Sequence, residues 1–191
     1  MSGGRCCGSE IEGVVYSAQE IAHAIEGLAQ AIGRDHARQP LVLIGVLKGA
    51  QCLTADLTRA LIRLPDGPSP ITIDFAGVSS YGASLRSSGE VRVERDIEVN
   101  IRGQNVVIVE DIIENGLTLL HLQRLCRSRQ PKSLRSCVLL NKPYNRRADV
   151  TVHYVGLTVP DAFIVGYGLD YQEKYRNLPY LAKLRSQVPL E

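Results

Sequence analysis

The sequence predicts an α/β protein with an open, mainly parallel sheet flanked by helices, and three observations predict it. Short apolar runs at residues 41–47 and 106–109 read as strands covered on both faces, and 134–140 reads as a further strand. Segments with helical apolar spacing alternate with these runs, which is the order of a parallel α/β sheet. Charged and glycine-containing residues follow the runs directly, at Lys48-Gly49 and from Glu110 onward. Open sheets of this kind place ligands beyond the carboxyl ends of their strands.

The elements follow in order. Residues 1–12 form a glycine-containing terminus that is expected to fray. Ser17-Ala-Gln-Glu20 is a capping box, in which hydroxyl and carboxylate reciprocally satisfy amides at a helix start. Ile21, Ile25, Leu28 and Ile32 then follow at helical spacing, so one face is buried. The apolar run 41–47 stops at Lys48-Gly49, and Leu53, Leu57 and Leu61 mark a second helix. Residues 65–70 are a proline-containing break. Ile71, Ile73, Phe75 and Val78 predict a strand, and Val91 and Val93 another. Between them residues 79–89 are polar and rich in Gly and Ser, as suits a mobile loop. Residues 106–109 predict a buried strand, and 117–125 the helix after it. Further strands are expected at 134–140, 150–155 and 163–165, and the segment 178–184 is expected to pack back on the domain.

A chain of 191 residues, 45% hydrophobic and 22% charged, fits one globular domain spanning 1–191. A net charge of +2 supplies no long-range attraction to nucleic acid or an anionic membrane, so neither is an expected partner. No apolar run approaches the roughly 20 residues needed to span a bilayer. The five cysteines (6, 7, 52, 126 and 137) lack the paired spacing of a zinc site. Cys52, Cys126 and Cys137 read as small core residues. Reduced thiols behind an opening without a secretory apolar segment lead to the expectation of a cytoplasmic protein.

The most informative stretch is residues 106–118, where an apolar strand runs into Glu110, Asp111, Glu114, Asn115, Gly116, Leu117 and Thr118. Three carboxylates within five residues repel one another unless a cation or a hydroxyl-rich ligand lies between them. Asn115, Gly116 and Thr118 can wrap backbone amides around an anion at a helix start. The Walker pattern is absent, which argues against a nucleotide triphosphatase. Acids beside a phosphate cradle suit a polyhydroxylated phosphate ester carrying Mg²⁺, while an acidic turn that merely caps a helix is the alternative.

Several motifs in order give this segment a wider context: Leu47-Lys48-Gly49, Ser79-Ser80-Tyr81-Gly82, residues 110–118, Lys142, and residues 160–171 with Phe163 and Asp170. From about Leu41 to Arg176 the set resembles the type I phosphoribosyltransferases, within their hypoxanthine–guanine branch. The resemblance implies that branch's fold, with a small hood or lid region beside the sheet. It implies transfer of a phosphoribosyl group from phosphoribosyl pyrophosphate (PRPP) to a 6-oxopurine such as hypoxanthine or guanine, with Mg²⁺ as cofactor and a homodimer or homotetramer as the assembly.

Residue by residue, the resemblance assigns Glu110 and Asp111 to the ribose hydroxyls and, directly or through water, to the metal. It assigns 114–118 to the 5′-phosphate, and Lys48 and Gly49, at a strained peptide, to pyrophosphate, with Arg176 as a further contact. Lys142 would recognise the exocyclic oxygen, since an ammonium can donate to a carbonyl but cannot accept from the amino group of adenine. Phe163 would stack on the base, Ile164 would lend backbone groups to its edge, and Asp170 would stand beside the base as direct magnesium ligand. Ser80 and Tyr81 would close the lid over the reacting centre.

The family has aspartate where this chain has Glu114, as candidate general base, and Thr or Ser where it has Asn115. An extra methylene moves the carboxylate by about a bond length or more. Three explanations compete: a loop that has adjusted and kept purine activity, a pocket for another base such as a deazapurine, or a weak enzyme. The persistence of Lys142, Phe163 and Asp170 favours the first. A regulator that senses PRPP and binds nucleic acid is a reading from another class, but it would need a basic face that the sequence does not display.

Overall fold

Backbone pairing along the carboxyl edge of one sheet decides where the interesting residues meet. A computed structural model describes residues 10–80 and 91–185. In chain order it contains β1 (Ile11–Tyr16), α1 (Ala18–Asp35), β2 (Leu41–Leu47), α2 (Gln51–Ile62), β3 (Ile71–Ser80) and β4 (Val91–Arg95). There follow β5 (Asn105–Ile113), α3 (Leu117–Ser128), β6 (Ser133–Asn141), β7 (Tyr154–Thr158), β8 (Ile164–Val165) and β9 (Leu181–Leu184). The main sheet has the order β4-β3-β2-β5-β6-β7, parallel throughout except for β4. A second, antiparallel sheet of order β1-β9-β8 forms a small hood.

The α/β class therefore holds, and the reason is visible in alternate residues of the central strands. Leu41, Leu43, Val107 and Val109 bury against α1 and α2 with Ile21, Ile25, Leu53 and Leu57. Val42, Ile44, Val106 and Ile108 bury on the other face with Leu119 and Leu122 of α3. Both faces are covered, which is why these strands read as continuous apolar runs. The capping box at Ser17 is formed as expected, with Ser17 Oγ accepting from the Glu20 amide and Glu20 Oε2 accepting from the Ser17 amide. No helix of the described residues is long and apolar enough to cross a membrane.

Several boundaries differ from expectation. Residues 11 and 12 belong to β1, because that strand pairs with β9 at Ile11↔Leu184. Ser79 and Ser80, expected in a loop, belong to β3, which pairs there with β4, and the rest of that expected loop, 81–89, lies outside the described residues. The strand expected at 150–155 is instead β7 at Tyr154–Thr158, paired with β6 from Cys137↔Tyr154 onward. Cys126 and Cys137 are fully buried and Cys52 only partly so, all three as free thiols. Cys6, Cys7 and Tyr81 lie outside the described residues.

Candidate active site

The strand expected to end at Val109 continues through Glu110 and Asp111, which stay in the ladder because β6 pairs alongside, with Glu110 opposite Val138. The two acids are strand residues, not loop residues as the sequence suggested. Glu110 is almost fully buried, and its Oε2 has no hydrogen-bond partner. Burial, reinforced by Asp111 and opposed by Arg146, holds its carboxyl well above the usual range. Burial also pushes Asp111 up to about 6, with Asp170 adding to the shift and Arg176 opposing it.

Parallel pairing brings the end of β2 beside these acids, with Gly45 opposite Val109. The Leu47–Lys48 peptide is cis. A Cβ on Gly49 would lie 1.7 Å from Asp111 Oδ2. On another side, a Cβ on Gly168, whose φ is +99°, would lie 2.0 Å from the Gly49 carbonyl oxygen. Gly49 is thus packed between the Asp111 carboxylate and the 166–170 turn, where only hydrogen fits. The same turn presents Asp170. Its Oδ1 is 2.7 Å from Arg176 Nη2, and its Oδ2 accepts from the Glu173 amide at 2.9 Å. Arg176 also donates to the Gly168 carbonyl at 2.8 Å and to Glu173 at 3.1 Å, while Lys48 pairs with Glu173 at 3.0 Å. Lys48, Gly49, Asp111, Asp170 and Arg176 therefore lie in one neighbourhood. Glu173 joins them, and sequence reasoning missed it.

Between β5 and α3 the chain turns on Gly116, which has a φ of +81°. That conformation is open to glycine at little cost. A Cβ there would also press on Val150 Cγ1 at 2.9 Å. Asn115 shapes the turn from both sides. Its Oδ1 accepts from the Leu117 amide at 2.9 Å, and its carbonyl accepts from the amides of Arg147 and Ala148. The 12-residue helix α3 then starts at Leu117-Thr118 with Gly116 as N-cap, which has no side chain to cap it, and its positive end is directed at the loop. This is the geometry of an anion cradle.

Pairing of Ile113 with Asn141 sets Lys142 next to Glu114, and the Lys142 amide donates to the Ile113 carbonyl at 2.9 Å. The ammonium lies 2.9 Å from Glu114 Oε1 and 3.2 Å from Asp161 Oδ1. Lys142 is only 8% exposed, an unusual position for a lysine. Burial alone would lower its pKa, but the two carboxylates outweigh burial and the net direction is up. Asn145 donates to the same Glu114 oxygen at 3.1 Å. Phe163 is 40% exposed and makes a T-shaped contact with Tyr171, with ring centroids 5.8 Å apart. The Phe163 carbonyl accepts from the Leu184 amide at 3.0 Å, and Ile164 is buried in β8 against β9. Asp161, Asn145 and Arg146 were not singled out from sequence. Arg146 donates to Asn141 at 2.8 Å and its buried Nε has no partner.

Among the described residues no three His, Cys, Asp or Glu side chains stand together as a preformed metal cage. Mg²⁺ asks for less: one or two carboxylates, with substrate oxygens and water completing the octahedron. Asp170 beside Asp111 fits that requirement, since the charge of Asp170 adds to the cost of ionising Asp111 and a hard cation would relieve it. Glu110 does not share the contacts of Asp170, and its unpartnered oxygen suits a ribose hydroxyl as well as a metal-bound water.

A parallel sheet with an acid pair on its central strand, a glycine-turned cradle after it and a buried lysine just past the end of the next strand defines a sugar-phosphate transfer site. The chain belongs to the phosphoribosyltransferase family, whose domain model matches residues 14–172. Within that family it is similar to the hypoxanthine-guanine phosphoribosyltransferase of Mycobacterium tuberculosis, 44% identical over 185 residues covering 94% of this chain and 89% of the relative. The enzyme of the same name from Bacillus subtilis is 43% identical, with 94% and 96% covered. A crystal structure of a hypoxanthine-guanine phosphoribosyltransferase from Bacillus anthracis superposes with a TM-score of 0.84 at 44% identity. It covers 92% of this chain and all of that one.

Proposed function

We propose that this protein transfers the phosphoribosyl group of PRPP to a 6-oxopurine, giving a nucleoside 5′-monophosphate and pyrophosphate in purine salvage. The observation that carries the reading is the buried Lys142 ammonium at the end of β6, one strand over from the acid pair and its cradle. A cation in that position donates to an exocyclic oxygen and rejects an amino group. The same base class is named in the relatives above.

In this reading the cradle at 114–118 holds the 5′-phosphate, and Glu110 and Asp111 hold the ribose hydroxyls. Lys48, Gly49 and Arg176 bind pyrophosphate. Asp170 and Asp111 would hold Mg²⁺, which when bound would supply positive charge to the departing pyrophosphate. The carboxylates under the ribose favour the cationic sugar of the transition state. Phe163 stacks on the purine, Ile164 borders its edge, and Lys142 fixes its oxygen. Glu114 accepts the imidazole proton as the new bond forms. Its longer arm reaches both Lys142 and Asn145, which favours a loop that has adjusted over a pocket for another base. Ser80 and Tyr81 close over the centre to exclude water. The protein works in the cytoplasm, consistent with its free thiols, as a homodimer or homotetramer.

Pyrophosphate release with PRPP and Mg²⁺, measured across hypoxanthine, guanine, xanthine, adenine and deazapurine bases, tests the reading. Turnover of hypoxanthine and guanine above the others is expected. A preference for a deazapurine that persists in Glu114→Asp would overturn the base assignment, and no turnover on any base would overturn the reaction.

A further inference from the structure

We infer that Asp161 is a positioning residue for base selection: it holds the Lys142 ammonium aimed at the base oxygen when Glu114 is drawn away to the imidazole edge. The inference rests on the function proposed above.

The argument starts from a conflict of roles. Lys142 is buried at the end of β6 with two carboxylate partners, Glu114 at 2.9 Å and Asp161 at 3.2 Å. Glu114 cannot serve both the lysine and the base with the same oxygen. Its Oε1 already accepts from Lys142 and Asn145, so a purine that draws the carboxylate toward its imidazole edge competes with this pairing. An ammonium as buried as that of Lys142 would be costly to leave with no anion. Asp161 removes the difficulty because its place does not depend on the base. It sits in the turn just before Phe163, and that turn is tied down at both sides. The Ala162 amide donates to the Pro160 carbonyl, and the Phe163 carbonyl accepts from the Leu184 amide. The residue that anchors the lysine and the residue that stacks on the base thus move as one piece. Lys142 has three donors. With one on Asp161, the direction of the others is restricted, and the purine oxygen meets an ammonium already oriented.

A purely structural Asp161 would affect stability or every kinetic constant alike. A positioning Asp161 affects the base alone. The test compares wild type, Asp161→Asn, Asp161→Glu, Lys142→Met and the double variant Asp161→Asn/Lys142→Met. The readouts are steady-state constants for PRPP and for hypoxanthine, with calorimetric binding of IMP. Asp161→Asn should raise KM for hypoxanthine and Kd for IMP about three- to tenfold, the size of one weakened charge-assisted contact. The PRPP KM and kcat should stay within about twofold by the same reasoning. Asp161→Glu should recover most of the loss. In the Lys142→Met background Asp161→Asn should add nothing, because its only route to the base has gone. Unchanged hypoxanthine KM and IMP affinity in Asp161→Asn, or an equal effect with and without Lys142, would overturn the inference while leaving the function standing. A wild-type enzyme silent on every purine would overturn both, and the silence of the wild type itself tells the two failures apart.

Discussion

Replacing Gly49 with alanine tests the part of the site where backbone, acid and turn are packed closest. The added Cβ would lie 1.7 Å from Asp111 Oδ2 and 2.5 Å from its Cγ, whereas ordinary contact begins near 3.4 Å. About 1.7 Å must therefore be opened. The Gly49 peptide cannot retreat freely, because its carbonyl oxygen lies against Gly168. Asp111 must yield, and it is the ribose and metal acid. Displacement on the order of 1 Å at a reacting centre costs about a hundredfold in rate, so kcat/KM for PRPP should fall by at least that factor. The stability cost is that of an overpacked interior, about 1–3 kcal/mol, or about 2–12 °C in Tm for a chain of this size. Adding Asp111→Ala separates the two effects. The second truncation opens the space, so the double variant should melt well above the sum of the singles while activity stays low. Melting by calorimetry and initial rates of pyrophosphate release give both readouts. A Gly49→Ala enzyme with wild-type PRPP kinetics, or strictly additive melting shifts, would refute the packing argument.

Three further outcomes follow from the same geometry. Lys142→Met should lower kcat/KM for hypoxanthine about 10- to 150-fold, the range for a hydrogen bond to a charged group, and should narrow its advantage over adenine; competition assays with the two bases read this directly. Asp111 has its carboxyl raised to about 6 in the folded protein, so the native state holds a proton between roughly pH 4 and 6 that the unfolded chain releases. Wild-type stability attributable to this group therefore falls as pH rises through that window. Asp111→Asn should melt above wild type at pH 7.5, and the advantage should close as pH falls toward 4; a gap that is constant with pH would contradict the assignment. Asp74 is buried and accepts from the amides of Phe75, Glu98 and Val99, contacts that hold its carboxyl below the usual range against burial. Asp74→Ala should cost about 2–4 kcal/mol by denaturant titration, with little effect on KM for either substrate because the residue lies away from the carboxyl edge of the sheet.

The central sheet was legible because burial on both faces writes continuous apolar runs, and β2, β5 and β6 all carry them. The end of β5 was not legible. Apolar patterning stops at Val109, yet the ladder continues under Glu110 and Asp111, because backbone hydrogen bonds do not depend on side-chain polarity. The hood was missed in part for a different reason. Its pairing of Ile11 with Leu184 spans nearly the whole chain, and no local pattern announces such a partner. The site residues that sequence reasoning found are those fixed by a motif, such as Gly49, Gly116 and Asp170. Asp161 and Glu173 escaped because each matters through a side chain distant in sequence, Lys142 and Lys48 respectively. Phe163 could have passed for core; its 40% exposure shows that it is not.

The hood's pairing has a consequence for the order in which the protein is built. The cradle half of the site comes from β5, α3 and β6, neighbours in sequence that can associate as soon as they are synthesised. The base half rests on β8, whose sheet neighbour among the described residues is β9, which is paired in turn with β1. Contacts closed over such a span form late, because the loop they close is long. A nascent chain emerging from the ribosome therefore holds a sugar-phosphate cradle before it holds a base platform. In pulsed hydrogen exchange during refolding, amides of β5 and β6 should gain protection ahead of those of β9.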